Sequence, residues 1–533
     1  MVPQTAYGDR SGLTRRQILE RGALAGAAVA PPAVLGGFPA PGGAATTGAA
    51  APRRGGTFRV AISDGGPTES LDPQAIVSAT DQYRSLNLFD RLTEVQANTS
   101  VAMHLAESVE ATRKDATRWR VVLRKGVTFS NGKPVTADDV LHTFRRIGLN
   151  KKAPYFSNVD PFIDVKASRK INATTVEFVL KQPYGDFTRY LANRYLQIIP
   201  AGANRFKQVS DVVGTGAFKL SKFTPGQRSE LVRNPNYFGS PGPYFDQVSI
   251  IQVAKDAQLN ALQSGQVDGT ETFDQLAQGL ALKNNPQVSL FTVPAGNAPQ
   301  FNMRLDRAPF TDVRVRRAFK LAIDRERMLQ IAFQKHGKLG NDLHGRTFKS
   351  YASSLAQRTY DPEQAKSLLK AAGKEGLTVE LVTGLYPDAA AAYVDQAKAA
   401  GITIKLKRIP GDQVYNTDLY YLKVPFGETG WGTDSFEFIA PQAYLQGAPY
   451  NETAWKRPAW DKKFLRATGI VDPGKRNSLY KELQAELYRD GGELIWNFGD
   501  SLYGGNPKLK GVVPQVPGFI WNDLRFRMLW FSS

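Results

Sequence analysis

Gly430-Trp431-Gly432-Thr433-Asp434 sets an indole and a carboxylate among two glycines. Glycine lets a ligand approach the backbone closely, the indole offers a flat wall, and the carboxylate can pair with a cationic group. A charge-assisted hydrogen bond of that kind contributes roughly 1.5–3 kcal/mol, about tenfold or more in affinity. The plainer alternative has Asp434 capping a loop and Trp431 in the core. Other candidate contacts are scattered. Ser78 and Thr80 follow Leu71-Asp72-Pro73, where ordinary loop polarity is the competing explanation. Tyr386 stands in Leu381-Val382-Thr383-Gly384-Leu385-Tyr386-Pro387-Asp388, a stretch without a basic residue, and Asn302 follows Phe301.

Catalytic constellations are scarce. Gly499-Asp500-Ser501-Leu502 spells the nucleophile block of a class of esterases, but no histidine lies beyond His344, so no general base follows Ser501. The four histidines, His104, His142, His336 and His344, form no His-x-x-x-His pair, and neither a P-loop nor HExxH is present. His336 and His344 flank a Gly-rich stretch that reads as a surface loop before it reads as a metal site. Gly214-Thr215-Gly216 has only the glycines of a phosphate loop. Cysteine is absent, which excludes disulfides, Cys-ligated zinc, iron–sulfur clusters and a thiol nucleophile. The expectation is no enzyme, no cofactor and no resident metal.

These residues need elements to position them. Gly56–Ile62, Trp119–Leu123 and Thr175–Leu180 read as strands. Thr136-Ala137-Asp138-Asp139 reads as a helix start, with Thr136 as cap and two carboxylates facing the macrodipole. Asp361-Pro362-Glu363 starts another helix, which stops at Gly373. Helices are also expected at 312–322, 325–334, 388–400 and 473–489, and a strand at Gly401–Leu406 directly follows one of them. This alternation predicts α/β lobes. No internal repeat is visible.

The length of 533 residues predicts about three or four domains or subdomains. With 42% hydrophobic residues the chain can bury a sizeable core. The net charge is +19, and the basic residues are interleaved with acids over the whole length. That pattern predicts a generally basic surface rather than a nucleic-acid or membrane patch. The N-terminus carries Arg15-Arg16-Gln17-Ile18-Leu19, then a short Ala/Gly-rich apolar stretch broken by Pro31-Pro32, then a small-residue run ending at Ala51. Those are the parts of a secretory signal, and the paired arginines look like the twin-arginine (Tat) kind. Residues 1–51 hold four arginines and two acids, so the remainder still carries +17. No later segment has 18 consecutive apolar residues, so a soluble mature chain is expected.

In order along the chain come Leu88-Phe89-Asp90-Arg91-Leu92, Leu123–Gly132, Val213–Phe218, Arg233–Tyr237, Leu262–Asp268, Asp312–Ala318, Tyr360–Ala365, Gly430–Asp434 and Asp472–Arg476. This series resembles the family 5 solute-binding proteins, periplasmic receptors for peptides, nickel and related solutes, over about residues 55–530. The resemblance implies a two-lobed α/β periplasmic binding protein of type II, with an extra subdomain inserted in lobe one. Lobe one would comprise 52–84, 209–296 and 498–533, the insert 85–208 and lobe two 297–497. Hinges would lie near Gly296–Phe301 and Asn497–Gly504. In peptide-binding relatives an Asp at the place of Asp434 pairs with the ligand's α-ammonium, and polar contacts arise near Ser78 and Thr80. Dipeptide receptors also carry an arginine in the lobe-two loop that here has Tyr386 instead, which points away from a free dipeptide.

The implied function is solute capture for an ATP-driven (ABC) importer, with a membrane permease and its ATPase subunits as partners. The chain would act as a periplasmic monomer without a lipid anchor and without nucleic-acid binding. A peptide or another amine-bearing molecule is the expected ligand; opine, glycoside and metal chelate remain open. Rival readings are a hydrolase-like clamp, which should show a nucleophile–base pair, and a basic adhesion protein, which should be retained on heparin in a salt-sensitive way.

Overall fold

The computed structural model describes residues 51–533 apart from 77, 241, 274–275, 433 and 514–519. The first fifty residues of the expected signal lie outside the described residues.

The strand read from Phe58, Val60 and Ile62 forms over Thr57–Ile62, and all three side chains are fully buried. It pairs in parallel with Gln247–Gln252, which in turn leads to Arg228–Arg233 and Phe218–Thr224. On its other side the sheet continues through Gly269–Thr272, Asn497–Gly505, Ser289–Met303, Phe426–Gly432 and Thr378–Thr383 to Thr403–Arg408. The helices expected near 312, 325, 362, 388 and 473 form at Val313–Leu321, Arg325–Phe333, Pro362–Ala371, Pro387–Ala399 and Pro473–Asp490. Their caps are those of the sequence: Asp361 accepts the Gln364 N–H at 2.8 Å, and Asp472 accepts the Lys475 N–H at 2.7 Å.

The 15-residue strand Ser289–Met303 ties the two halves of the sheet together. Its first part pairs with Ser501–Gly505, and its second part with Phe426–Gly432. Register shifts between Val293 and Asn297, where Ala295 adopts φ +51. The irregularity is pinned from the neighbouring strand. Asp500 accepts the Ala295 N–H at 2.7 Å, and Ser501 accepts from the Asn297 amide at 2.8 Å. Asp500 and Ser501, which spell the esterase-like block, thus hold a bulge.

A separate four-stranded sheet, in the order Ala106–Ala111, Arg118–Leu123, Thr175–Val179, Arg169–Asn172, is packed by the helix Ala137–Gly148. Phe144 meets Phe178 edge-on at 4.8 Å, and the Asp139 carboxylate accepts the Thr136 N–H at 2.7 Å. This unit has its own apolar core around Trp119, Phe178 and Phe187. It docks on the chain through glycine. A Cβ on Gly185 would lie 2.0 Å from the Ile470 carbonyl oxygen, so backbone meets backbone there.

Near the C-terminus four consecutive non-glycine residues, Trp521 to Leu524, adopt φ between 57° and 60°. Left-handed helix costs about 1–2 kcal/mol per residue, so the turn persists only because its side chains are held. Trp521 is fully buried against Phe58 and Tyr503, and Asn522 clasps the Gly511 carbonyl and the Val513 N–H, both at 2.7 Å.

Candidate functional site

Asp434 follows the strand Phe426–Gly432 and precedes the helix Phe436–Ala443. Its side chain accepts the Ser435 N–H at 2.6 Å and is part-buried. Burial pushes the carboxyl up to about 7, against the Ser435 hydrogen bond and the charges of Arg189 and Arg194, with Glu437 pushing the same way as burial. Near neutral pH a carboxyl in this state is only partly ionised, and an arriving cation favours the charged form. Gly432, two residues earlier, is exposed, and a Cβ there would meet nothing within 4 Å, so the backbone borders open space.

Trp431 alternates to the other side. It is 7% exposed and belongs to an apolar cluster with Phe436, Trp460 and Tyr480. Its indole N–H donates to Glu452 Oε2 at 3.2 Å. The same oxygen accepts from Gln300 at 2.7 Å, Asn302 at 2.8 Å and Thr429 at 2.9 Å. Asn302 is therefore a network residue beneath the Trp431 strand. Burial raises the Glu452 carboxyl, while its donors pull it down. Glu452→Ala should take this acceptor from the Trp431 indole and the Thr429 hydroxyl, at about 1–3 kcal/mol for each group that stays dry, and loosen Gln300 and Asn302, which keep acceptors in Asn302 and Thr429. A fall of at least about 2 kcal/mol in urea-unfolding free energy is expected; an unchanged midpoint would refute this account of the network.

The other expected contacts are drawn into local structure. Ser78 caps the helix Ala79–Leu88, accepting the Asp81 N–H at 3.1 Å while its own N–H donates to Asp81 at 3.2 Å. Thr80 is 4% exposed and donates to the Asp64 carbonyl at 2.8 Å. Tyr386 starts the helix Pro387–Ala399; its N–H donates to Glu428 at 3.1 Å, and its ring packs on Phe333 and Trp496. Glu428 also gathers the Gly384 and Leu385 N–H groups at 2.9 and 2.8 Å.

Sequence reasoning missed Glu452, Glu428, Arg189 and Arg194, and it took His344 for a surface residue. His344 is 1% exposed, edge-on to Trp431 at 5.7 Å and 3.6 Å from Glu493. Period-two spacing could have paired Gln300 with Asn302 and Thr429 with Trp431, since the strands pair 300 with 429 and 302 with 427. Glu452 arrives from a loop, and no local pattern announces it.

Among the described residues one metal-like cluster occurs, Asp90, Glu94 and His104. Glu94 is already met by Arg525 at 3.2 Å and Arg527 at 2.9 Å, and Asp90 by His104 at 2.8 Å and Thr215 at 2.9 Å. Two guanidiniums on one carboxylate oppose a divalent cation, and the group reads as a buried ion-pair network tying the C-terminal segment to the Asp90–Glu94 region.

Among the described residues no helix is long and apolar enough to cross a membrane. The peptide transport periplasmic protein SapA of Salmonella typhimurium is 27% identical over 440 residues, spanning 76% of this chain and 80% of SapA. The dipeptide-binding protein of Escherichia coli is 27% identical over 479 residues, spanning 82% of this chain and 88% of the relative. Among solved structures, the ABC transporter-associated periplasmic binding protein DppA from Helicobacter pylori, in complex with the peptide STSA, superposes with a TM-score of 0.69. That match covers 90% of this chain and 99% of DppA at 21% identity, a likeness of fold, and the fold is the two-lobed α/β clamp expected from the sequence. The profile of bacterial extracellular solute-binding proteins, family 5 (middle part), matches residues 100–451. The chain belongs to family 5 of the bacterial extracellular solute-binding proteins.

Proposed function

We propose that this protein is the periplasmic solute-binding component of an ABC importer. It takes a peptide or another amine-bearing small molecule between its lobes and delivers it to a membrane permease, whose ATPase subunits supply the energy. The observation that carries the reading is Asp434, a part-buried carboxylate beside the open backbone at Gly432 in a chain whose relatives are named as peptide receptors. About 5 kcal/mol of differential affinity swings an open clamp almost fully closed. The lobes are 52–84 with 209–296 and 498–533 on one side and 297–497 on the other, with 85–208 inserted; the bulge at Ala295 supports a hinge there. Export by the twin-arginine route, a monomeric state and the absence of catalysis complete the proposal.

Native mass spectrometry of the protein taken from its own periplasm, before and after refolding, tests it. A small bound mass that carries an amine and disappears on refolding is the expected result. A bare mass, with no thermal shift against peptides, amines or metal chelates, would overturn the reading.

A further inference from the structure

Counted by unit, the basic charge is less even than its interleaving along the chain suggests. Residues 85–208 hold 20 Lys and Arg against 11 Asp and Glu, a surplus of +9 in 124 residues. Residues 52–84 and 209–533 together hold only the remaining +8 of the +17. Part of the surplus gathers where the helix Ala137–Gly148 ends. Arg145, Arg146, Leu149 and Lys152 from that end, with Asp72 and Gln74 facing them, line a cleft of about 470 Å³. Leu149 is 52% exposed at its rim.

The acids of this corner are already engaged. Arg146 donates to Asp72 at 3.0 Å and to Gln74 at 2.7 Å and lies 5.4 Å over Phe206, so the one carboxylate in the cleft wall is neutralised. Asp139 accepts the Thr136 and Ala201 N–H groups at 2.7 and 2.6 Å, and Asp164 accepts those of Lys166 and Ala167 at 3.1 and 3.0 Å. Asp160 is taken by Lys181 at 2.7 Å. The cations are not engaged in return. Arg145 donates only to the Val165 and Ser168 carbonyls, at 3.3 and 3.0 Å, which brings Lys166 beside the helix end. Lys151, Lys152 and Lys166 are exposed, and their ammonium groups form no ion pair among the described residues.

Four like charges without counter-charges repel one another, and an anionic surface relieves that repulsion. Leu149 decides which surface. The phosphates of a nucleic acid give an exposed leucine nothing apolar to enter, whereas the headgroup–acyl boundary of a bilayer takes leucine and cations together. The cleft has the size of a small-ligand site, and its guanidinium wall suits a glycerophosphate headgroup.

We propose that the end of the helix Ala137–Gly148 is a docking surface for an anionic phospholipid bilayer. Leu149 enters the interface, and Arg145, Lys151, Lys152 and Lys166 meet headgroup phosphates. This goes beyond the receptor reading: a receptor held in this way would search for its permease over a surface rather than through a volume.

Flotation of the exported protein with vesicles of phosphatidylcholine alone, or mixed equally with phosphatidylglycerol, tests the proposal. Binding is expected on the mixed vesicles only, and about 0.5 M salt should abolish it by screening. Lys151→Glu with Lys152→Glu should weaken it about tenfold or more. Leu149→Ser should weaken it about two- to fivefold while the salt response stays. All three positions are exposed, so the variants keep the fold. Lys374→Glu with Lys405→Glu removes the same charge from exposed positions elsewhere and should leave binding near that of the intact protein. An equal loss in that control would overturn the docking surface, since net charge alone would then explain the binding. Equal flotation with both kinds of vesicle, or none with either, would also overturn it. Salt-sensitive retention on duplex DNA without flotation would do the same. Each of these failures leaves the receptor reading standing, because solute capture uses none of the four cations.

Discussion

Arg476→Met is expected to lower the unfolding free energy by about 3–5 kcal/mol, read as a shift of the urea midpoint, because it removes one partner of a buried ion pair. Arg476 is fully buried in the helix Pro473–Asp490 and stands 3.4 Å from Asp186. It also donates to the Ile470 carbonyl at 2.6 Å and the Val471 carbonyl at 3.1 Å. Neither carboxylate oxygen of Asp186 has a hydrogen bond among the described residues, and burial already raises its carboxyl, with Arg476 the chief opposing charge. Without Arg476 the acid is neutralised or strands its charge. The loss should therefore grow as pH rises, since only the ionised form suffers. The double variant Arg476→Met with Asp186→Leu should recover most of the stability, because an apolar pair of similar volume replaces the charges. If the single variant shifts the midpoint by less than about 1 kcal/mol, this contact does not hold the units together as described. Gly185→Ala acts on the same seam without touching charge, through the Ile470 carbonyl oxygen 2.0 Å from the added Cβ.

Asp434→Asn should weaken a cationic solute about tenfold or more above pH 7, where the native carboxylate is charged. The carboxyl is pushed up to about 7 in the empty site, and a bound cation draws it down. Below pH 7 binding must expel a proton, so affinity should fall by up to about tenfold per pH unit; above it, affinity should level off. The Asn variant should show no such slope. Ligand-free stability runs the other way. A folded-state value above the ordinary 3.8 means that the protonated form is favoured in the fold, so this contribution is present at low pH and lost as pH climbs through 7. Titrations at several pH values with one identified amine check both signs. An unaltered slope in the variant would remove Asp434 from the binding step.

The scaffold was legible wherever local chemistry decided it. Asp361 and Asp472 cap helices because each precedes a proline that fixes the first turn, and both are readable one residue at a time. Phe58, Val60 and Ile62 announced a strand by their alternation. The motif around Asp434 was visible for the same reason, since its residues are contiguous. What escaped was whatever depends on distant segments meeting. Trp431 turns inward because Glu452 waits beneath it, and Ser78 and Thr80 serve Asp81 and Asp64 rather than open space. Arg189 and Arg194 sit in a stretch with no motif of their own, and their charges act on Asp434 only because the fold brings that stretch near it.

The strand Asn497–Gly505 lies at the middle of the main sheet, between Gly269–Thr272 and Ser289–Met303. The consequence falls on biosynthesis. A ribosome delivers this strand after every other strand of the main sheet, so the growing chain carries a sheet split down its centre. The two flanking strands then offer unpaired backbone edges, which are templates for pairing with other nascent chains. Premature stops shortly before Asn497 should therefore give insoluble product out of proportion to the length removed. Slowing translation just upstream should prolong exposure of those edges and raise the demand for chaperones, whereas the same delay after Gly505 should matter little.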